Sequence, residues 1–336
     1  MAEYLAAKRT VDDRALNDRV WRRFVSELQS ESDRVTDREE PIRIVDVGTG
    51  IGSMAARLAE RERFERPVSY HGIDIDPEVI DAGRSRLPHW LEAAGYDVTS
   101  DGHRIVARPR NSQTESTSSP QRFEITLEVA DVASIAADAD GVITDDADAA
   151  IDGADESIPE DSDLLIADDP DAVIAAAFLD VVDLETVLPR LQACLGDGGL
   201  LYAPCTYAGR TSFVPSDPLD GRIERLYHRH MDEIRDRPGS SRAGEQLLQA
   251  APRFGFDTLE VGGGDWVVRP SSTGYEAQEG TFLEFLLETI NGALADYPDS
   301  VLSDESREAW ITKRRRQIQD GELTMIAHNL DVLARR

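Results

Sequence analysis

The sequence contains little cysteine and no long hydrophobic run. Its 336 residues include two cysteines, Cys194 and Cys205, and neither lies in a CxxC motif or a Cys/His cluster. A disulfide framework and a structural zinc site are therefore not expected, and we predict no metal site. No run of about 18 apolar residues occurs, which excludes a transmembrane helix. The charged N-terminus lacks the apolar stretch of a secretory signal, so the sequence predicts a cytoplasmic protein without membrane contact.

Positive charge is also scarce. Asp and Glu together number 65, Lys and Arg only 36, and the formal net charge is −29. Lys8 and Lys313 are the only lysines. A field this negative repels phosphate backbones and anionic membranes, which argues against a nucleic-acid partner. Abundant aspartate with almost no lysine resembles the halophilic, acidic composition of cytosolic proteins from salt-loving organisms, where concentrated salt screens self-repulsion. The alternative is an ordinary acidic protein with one disordered acidic loop.

Hydrophobic periodicity predicts helices first and then an alternation of strands and helices. Residues 1–40 carry apolar residues at three- and four-residue spacings, which predicts an N-terminal helical cap. The apolar run PIRIVDV (41–47) predicts a buried strand, and a helix follows over 53–63. A second strand is predicted at 68–75 and a second helix at 77–94. This order implies a parallel sheet covered by helices.

The middle of the chain is less regular. Segments 103–108 and 122–129 both resemble strands and are predicted to form a hairpin. Residues 137–170 are rich in Asp and Ala, which predicts an acidic and partly disordered insertion. The fourth strand of the sheet lies at 164–167 or at 171–176, and the sequence leaves both positions open.

A glycine-rich turn after the first strand carries the main functional signal. The segment IVDVGTGIG places Asp46 two residues before Gly48, and Gly50 and Gly52 follow at alternate positions. Glycines permit positive φ angles and let a ligand approach the backbone closely. The helix that follows directs its N-terminal N–H groups toward such a ligand. Taken alone, the motif also fits a tight strand-to-helix turn that binds nothing.

A carboxylate at the end of the second strand strengthens the ligand interpretation. Asp74 lies 22 residues after Gly52, which is the spacing at which an acidic residue accepts hydrogen bonds from ribose hydroxyls. Asp76 precedes Pro77 and is the better candidate for the cap of the next helix, which leaves Asp74 for the ribose. The two motifs together predict a site for an adenosine-containing ligand.

The spacing G-x-G-x-G, with Asp46 two residues before the first glycine, resembles the first motif of class I S-adenosylmethionine-dependent methyltransferases. The resemblance covers about residues 41–270 and the final strand, LTMIAHNLDVLAR (323–335). It implies an α/β fold with a doubly wound, mostly parallel, seven-stranded Rossmann-like sheet and helical cap insertions. It also implies S-adenosylmethionine as the cofactor.

The same resemblance divides the chain. The methyltransferase core would comprise 41–270 and 322–336, interrupted by the acidic insertion at 137–170. Residues 1–40 would form the N-terminal cap. Residues 271–321 connect two strands that meet at the ligand-binding edge, so we expect this helical insertion to lie over the active site.

The resemblance further assigns cofactor-binding residues. It places the glycine loop and Asp46 at the methionine end of the cofactor and Asp74 at the ribose. It places Asp131 and Val132, from the segment VADVAS, at the adenine. With the two residues expected beside the sulfonium, Ala177 and Phe178, the full set is Asp46, Gly48, Thr49, Gly50, Gly52, Asp74, Ile75, Asp131, Val132, Ala177 and Phe178.

The segment LLYAPC (200–205) is predicted to be the fifth strand of the sheet, and the resemblance implies that residues after it face the methyl acceptor. The segment LYHRHMD (226–232) concentrates polar aromatic groups there, and His228 is the candidate general base. The alternative is that this segment is a solvated helix face. Tyr4, Tyr207 and Tyr227 are predicted, together with His228, to contact the substrate.

The predicted function is methyl transfer from S-adenosylmethionine to a small-molecule or metabolite acceptor. One alternative is a nicotinamide-dependent oxidoreductase with the same strand–helix–strand beginning. The other is a methyltransferase-like binding protein without catalytic activity. The Asn/Asp-Pro-Pro-aromatic signature of amino-methylating nucleic-acid enzymes is absent, and AAAFLD stands in its place. The sequence leaves the acceptor atom and the oligomeric state open.

Overall fold

A computed structural model of the protein describes residues 1–32, 40–110, 122–132, 169–236, 238–295 and 297–336. Apart from its last two residues, the acidic insertion predicted at 137–170 lies outside the described residues. The alternative fourth strand at 164–167 lies outside them as well.

The described residues contain nine α-helices and ten strands. The helices are α1 (Ala2–Ala15), α2 (Asp18–Ser32), α3 (Ser53–Arg61), α4 (Pro77–Ala93), α5 (Leu184–Cys194), α6 (Asp220–Arg229), α7 (Ala243–Ala250), α8 (Glu279–Ala295) and α9 (Asp304–Gln319). The strands are β1 (Ile42–Val47), β2 (Val68–Asp74), β3 (Tyr96–Ser100), β4 (Arg104–Pro109), β5 (Phe123–Val129), β6 (Ala172–Ile174), β7 (Leu200–Val214), β8 (Asp257–Gly263), β9 (Trp266–Val268) and β10 (Thr324–Arg335).

All ten strands belong to one sheet, in the order β3-β4-β5-β2-β1-β6-β7-β10-β8, with β9 also paired to β10. Strands β5, β2, β1, β6 and β7 are parallel to their neighbours in this series. Strand β10 runs antiparallel to both β7 and β8. The predicted doubly wound α/β fold with an antiparallel last strand is confirmed. The carboxyl ends of the parallel strands meet at one edge, where ligands bind in such sheets.

The predicted count of seven strands is wrong, because the sheet has ten. The segment Tyr96–Ser100 pairs antiparallel with β4 and extends one edge of the sheet. At the other edge, β8 and β9 both pair antiparallel with β10. Gly264 and Asp265 lie between these two strands, and the Gly264 N–H bonds to the Asn329 carbonyl of β10. The predicted hairpin appears as the antiparallel pair β4 and β5, and the fourth parallel strand is Ala172–Ile174.

The central strand β1 is buried on both sides of the sheet. Ile42 and Ile44 belong to the apolar cluster on one face, whereas Val45 and Val47 belong to the cluster on the other face. Because side chains alternate along a strand, a continuous apolar run is what a doubly covered strand requires. This burial fixes the position of the loop that follows Val47.

A third apolar cluster joins the N-terminal helix to the late helices. Val11 of α1 and Leu283 of α8 are buried in the same cluster, together with Met325 of β10. The ring of Tyr4 stacks on Phe282, with 5.7 Å between the ring centroids. The amino-terminal and late helical segments therefore pack against each other.

Candidate active site

The loop between β1 and α3 has the backbone conformation that its glycines permit. Gly48, Gly50 and Gly52 all have positive φ angles, of 65°, 57° and 76°. A residue with a side chain adopts such angles only at a cost in free energy, and glycine avoids that cost. The Thr49 N–H bonds to the Ile73 carbonyl at 2.9 Å, which ties the loop to β2. The predicted loop thus lies at the carboxyl edge of the two central strands.

Asp46 is buried beneath this loop, with 1% of its surface exposed. Its Oδ2 accepts hydrogen bonds from Thr49 Oγ1 at 2.7 Å and from the Tyr70 hydroxyl. Its Oδ1 is buried and has no hydrogen-bond partner among the described residues. Burial raises the pKa of Asp46 to about 7, although the two hydrogen bonds and the charge of Arg57 oppose the increase. A buried carboxylate oxygen without a donor is suited to a ligand that brings one.

Asp46→Asn is expected to change the pH dependence of folding. Because the pKa of Asp46 rises from 3.8 to about 7 on folding, the folded protein holds a proton that the unfolded chain releases. The wild type therefore loses stability between about pH 4 and pH 7, by at most about 1.4 kcal/mol per pH unit. Asp46→Asn lacks this loss. The Tm of the variant minus that of the wild type should therefore increase between about pH 5 and pH 7.

Thermal melts of the unliganded protein at the two pH values test this prediction. Asp257→Asn, at an exposed position at the start of β8, is the control and should show no such trend. A difference in Tm between Asp46→Asn and the wild type that stays constant with pH would contradict the assignment.

Asp74 stands at the end of β2, and its carboxylate also holds the glycine loop. Its Oδ2 accepts the Gly50 N–H at 3.0 Å, and its Oδ1 accepts the Asp76 N–H at 3.1 Å. Asp76 caps α4, as predicted, by accepting the N–H groups of Glu78 and Val79. Each oxygen of Asp74 keeps a further lone pair for a ribose hydroxyl. The sequence suggested that Asp74 is available for the ribose alone. In the structure, Asp74 also supports the glycine loop.

The residues predicted at the adenine lie at the same edge of the sheet. Asp74 is in register with Val129 of the neighbouring strand β5, and Asp131 and Val132 follow directly after that strand. Ile75 is 66% exposed at this edge. An exposed large apolar side chain beside two polar strand ends provides a surface on which a flat ring could lie.

Residues from two distant elements cover the glycine loop. A Cβ atom added to Gly48 would lie 2.4 Å from Cδ2 of Phe178, and one added to Gly50 would lie 3.1 Å from Cδ1 of Leu5. Ala177, before Phe178, has a φ of 48° and donates its N–H to the Pro204 carbonyl. Phe178 thus packs against the loop, as does Leu5 of α1, which the sequence did not predict.

The predicted substrate contacts lie on β7, α6 and α1. The Tyr207 hydroxyl lies 2.8 Å from His228 Nε2 and 3.0 Å from Thr211 Oγ1. Burial lowers the pKa of His228, although Glu224 and Asp232 oppose this, so its imidazole stays neutral near neutral pH. Burial also raises the pKa of Tyr207.

Tyr4 and Tyr227 pack against the apolar cluster that contains Tyr207. Burial raises the pKa of both phenols, and the charge of Asp180 adds to this in each case. Asp180 also acts on Tyr207 in the same direction. The structure therefore brings together the three tyrosines and His228, which lie far apart in the sequence.

Sequence reasoning missed a set of charged residues at the contact between α1 and the glycine loop. A small pocket of about 50 Å³ at the glycine loop is lined by Lys8, Asp12 and Arg57 in addition to Asp46. Lys8 is 6% exposed and Arg57 is 3% exposed. The one sequence signal that could have indicated them is the rarity of lysine.

Two further findings concern only the described part of the chain. No group of three or more His, Cys, Asp or Glu side chains there is placed to hold a metal ion. None of the helices there has both the length and the apolar character needed to cross a membrane.

Comparisons with known proteins identify the family. Residues 14–261 match a family model described as a methyltransferase domain. Because this match spans more than half of the chain, the protein belongs to that family. The family model identifies it as a methyltransferase. The nicotinamide-dependent oxidoreductase is therefore set aside. No curated protein matches the sequence.

Solved structures resemble this chain at low sequence identity. A putative methyltransferase from Bacillus halodurans C-125 is 10% identical, with a TM-score of 0.43, and the match covers 92% of this chain and 98% of that one. Phosphoethanolamine N-methyltransferase 2 from Haemonchus contortus, bound to phosphomonomethylethanolamine and S-adenosylhomocysteine, is 15% identical, with a TM-score of 0.37 and coverage of 92% and 52%. A putative sarcosine dimethylglycine methyltransferase from Galdieria sulphuraria is 16% identical, with a TM-score of 0.37 and coverage of 95% and 89%.

Proposed function

We propose that the protein transfers a methyl group from S-adenosylmethionine to a small-molecule acceptor. The observation that supports this best is the gathering of Tyr4, Tyr207 and Tyr227 at one apolar cluster, with Tyr207 bonded to His228. Tyr4 precedes Leu5, which lies over Gly50 of the glycine loop. Buried polar aromatic groups of this kind suit a small acceptor bound in a pocket. The net charge of −29 disfavours a nucleic-acid acceptor.

The chain's own residues would hold the cofactor in the following way. Asp74 would accept hydrogen bonds from the ribose, and Ile75, Asp131 and Val132 would surround the adenine. Ala177 and Phe178 would lie beside the sulfonium. The bound cofactor supplies an activated methyl group, and the orientation of the acceptor toward it provides much of the rate.

The helical segments at 1–40 and 271–321 would complete the acceptor pocket. The contact between Tyr4 and Phe282 supports this proposal because it joins the two segments, and Phe285 meets the Tyr4 ring edge-on. Tyr4 would face the acceptor from this side. A cytoplasmic location is part of the same proposal.

His228 is proposed as the general base that takes a proton from the acceptor, with Tyr207 holding its imidazole in place. His228→Gln should lower kcat by about a hundredfold, the lower end of the range for a lost general base. Binding of S-adenosylhomocysteine should not change, since His228 lies on the acceptor side. Wild-type activity should fall as the pH drops through the pKa of His228, which burial places below its ordinary value, and the variant should lack that decline.

The measurement is the pH profile of labelled methyl transfer into a mixture of small molecules. His103→Gln, in the exposed turn before β4, is the matched control. Full activity of His228→Gln would refute the general-base role and would indicate an acceptor that is already ionised when it binds.

A further inference from the structure

Lys8 is an unusual residue in this chain. One of two lysines in the sequence, it is buried in α1 with 6% of its surface exposed. Its Nζ lies 3.2 Å from Asp12 Oδ2 and 4.8 Å from the centroid of the Trp266 ring. Burial lowers the pKa of Lys8, but Asp12 and other neighbouring charges reverse this and raise it overall. Lys8 is therefore a buried cation at the glycine loop.

Two carboxylate oxygens in the same pocket are buried without a donor. Asp46 Oδ1 and Asp12 Oδ1 have no hydrogen-bond partner among the residues that the structure describes. Both side chains line the pocket that Lys8 lines, beside Gly48 and Gly50. Buried carboxylate oxygens are normally satisfied, so the pair indicates a ligand group that carries N–H donors.

Arg57 holds this arrangement in place. Its Nε donates to Asp13 in a short contact, and its Nη2 lies 3.6 Å from Asp12 Oδ2. It also donates to the Arg9 carbonyl at 3.3 Å, so α1 is fastened to α3 directly above the loop. Other groups of the chain largely occupy the donors of Arg57. An ammonium has three donors, and Lys8 has one ion-pair partner among the described residues.

We propose that Lys8 and Asp12 of α1, together with Asp46, form the binding site for the zwitterionic amino-acid end of the cofactor. Lys8 binds the carboxylate, and Asp12 and Asp46 bind the ammonium. The inference adds the N-terminal helix to the cofactor site, beyond the glycine loop and its acidic residue. It concerns the cofactor alone and is independent of the acceptor.

The charges of the pocket are complementary to those of the cofactor's amino-acid end. Without ligand, Lys8 and Asp12 neutralise each other as an ion pair four residues apart on one helix. A zwitterion presents the opposite pair of charges, so the internal pair can open without leaving a buried charge uncompensated. A lysine fits this role because its ammonium is compact, whereas a guanidinium is a broad planar group.

The pocket lies between α1 and the glycine loop, and its volume is about 50 Å³. Leu5, on the same helix as Lys8, lies over Gly50. The N-terminal helix therefore covers the part of the loop where the amino-acid end of the cofactor would bind.

A comparison of two ligands tests the proposal. S-adenosylhomocysteine carries the amino-acid group, and 5′-methylthioadenosine has the same adenosine and sulfur but lacks that group. Calorimetric titration of Lys8→Met should show affinity for S-adenosylhomocysteine reduced at least about tenfold. The affinity for 5′-methylthioadenosine should not change. Lys8→Arg, which keeps the charge, should recover part of the lost affinity.

Lys313→Met is the matched control, since Lys313 is the other lysine and forms a half-exposed ion pair with Asp217 on the surface. It should bind both ligands as the wild type does. Equal weakening of both ligands in Lys8→Met would overturn the proposal, because it would show a structural role only. A wild type that binds the two ligands equally well would overturn it too. A wild type that binds neither would refute the cofactor assignment itself.

Discussion

Gly48→Ala will abolish or severely weaken binding of S-adenosylhomocysteine, with an expected loss of at least about tenfold in affinity. The added Cβ would lie 2.4 Å from Phe178, closer than any normal contact, so the Phe178 ring or the loop must move. The φ angle of 65° adds backbone strain for any residue other than glycine. Both effects act where the methionine end of the cofactor is proposed to bind.

Gly95→Ala separates the clash from the strain. Gly95 also has a positive φ, of 94°, but a Cβ there has no neighbouring atom within 4 Å. Both variants should lose thermal stability through strain, Gly48→Ala more because it alone has the clash, and only Gly48→Ala should lose affinity. Calorimetric titration of the two variants with S-adenosylhomocysteine measures this difference in affinity. Unchanged affinity in Gly48→Ala would place the cofactor elsewhere.

Salt should stabilise the fold strongly. The 36 basic residues leave an excess of 29 negative charges, which repel one another at low ionic strength. Raising KCl from about 0.1 M to about 2 M shortens the screening length from about 10 Å to below about 3 Å. We expect the Tm to rise by at least about 5 °C, which corresponds to a few kcal/mol for a chain of this size.

The choice of salt is part of this test. KCl is used because sulfate and phosphate stabilise proteins by exclusion from the surface, independently of charge. Sucrose at the same osmolarity, which does not screen charge, is the control for exclusion. A Tm that does not change with KCl would contradict the salt-adapted interpretation of the composition.

Local patterns made the cofactor loop predictable from the sequence. The strand, the three glycines and Asp46 are contiguous, and Asp74 follows at a fixed spacing because one helix separates the two strands. The second role of Asp74, as acceptor for the Gly50 N–H, was not predictable. Spacing alone does not indicate how a carboxylate divides its lone pairs between the backbone and a ligand.

Long-range packing explains what the sequence did not reveal. Asp13 and Arg57 are bonded across 44 positions of the chain, and no periodic pattern marks such a pair. Tyr207 and His228 were both predicted at the acceptor, but their hydrogen bond depends on how α6 packs against β7. The extra strand β3 was missed because the five residues of Tyr96–Ser100 are a short segment, and only pairing with β4 defines them as a strand.

The most direct test of the central claim follows the fate of a labelled methyl group. The protein is incubated in concentrated KCl with S-adenosylmethionine labelled at the methyl carbon. Separate reactions contain a polar metabolite extract, RNA or unfolded protein. We expect the label to appear in the low-mass metabolite fraction, and we expect Gly48→Ala to abolish this transfer while Gly95→Ala preserves it. Label that enters only RNA or protein, or no transfer by a wild type that binds S-adenosylhomocysteine, would contradict the central claim.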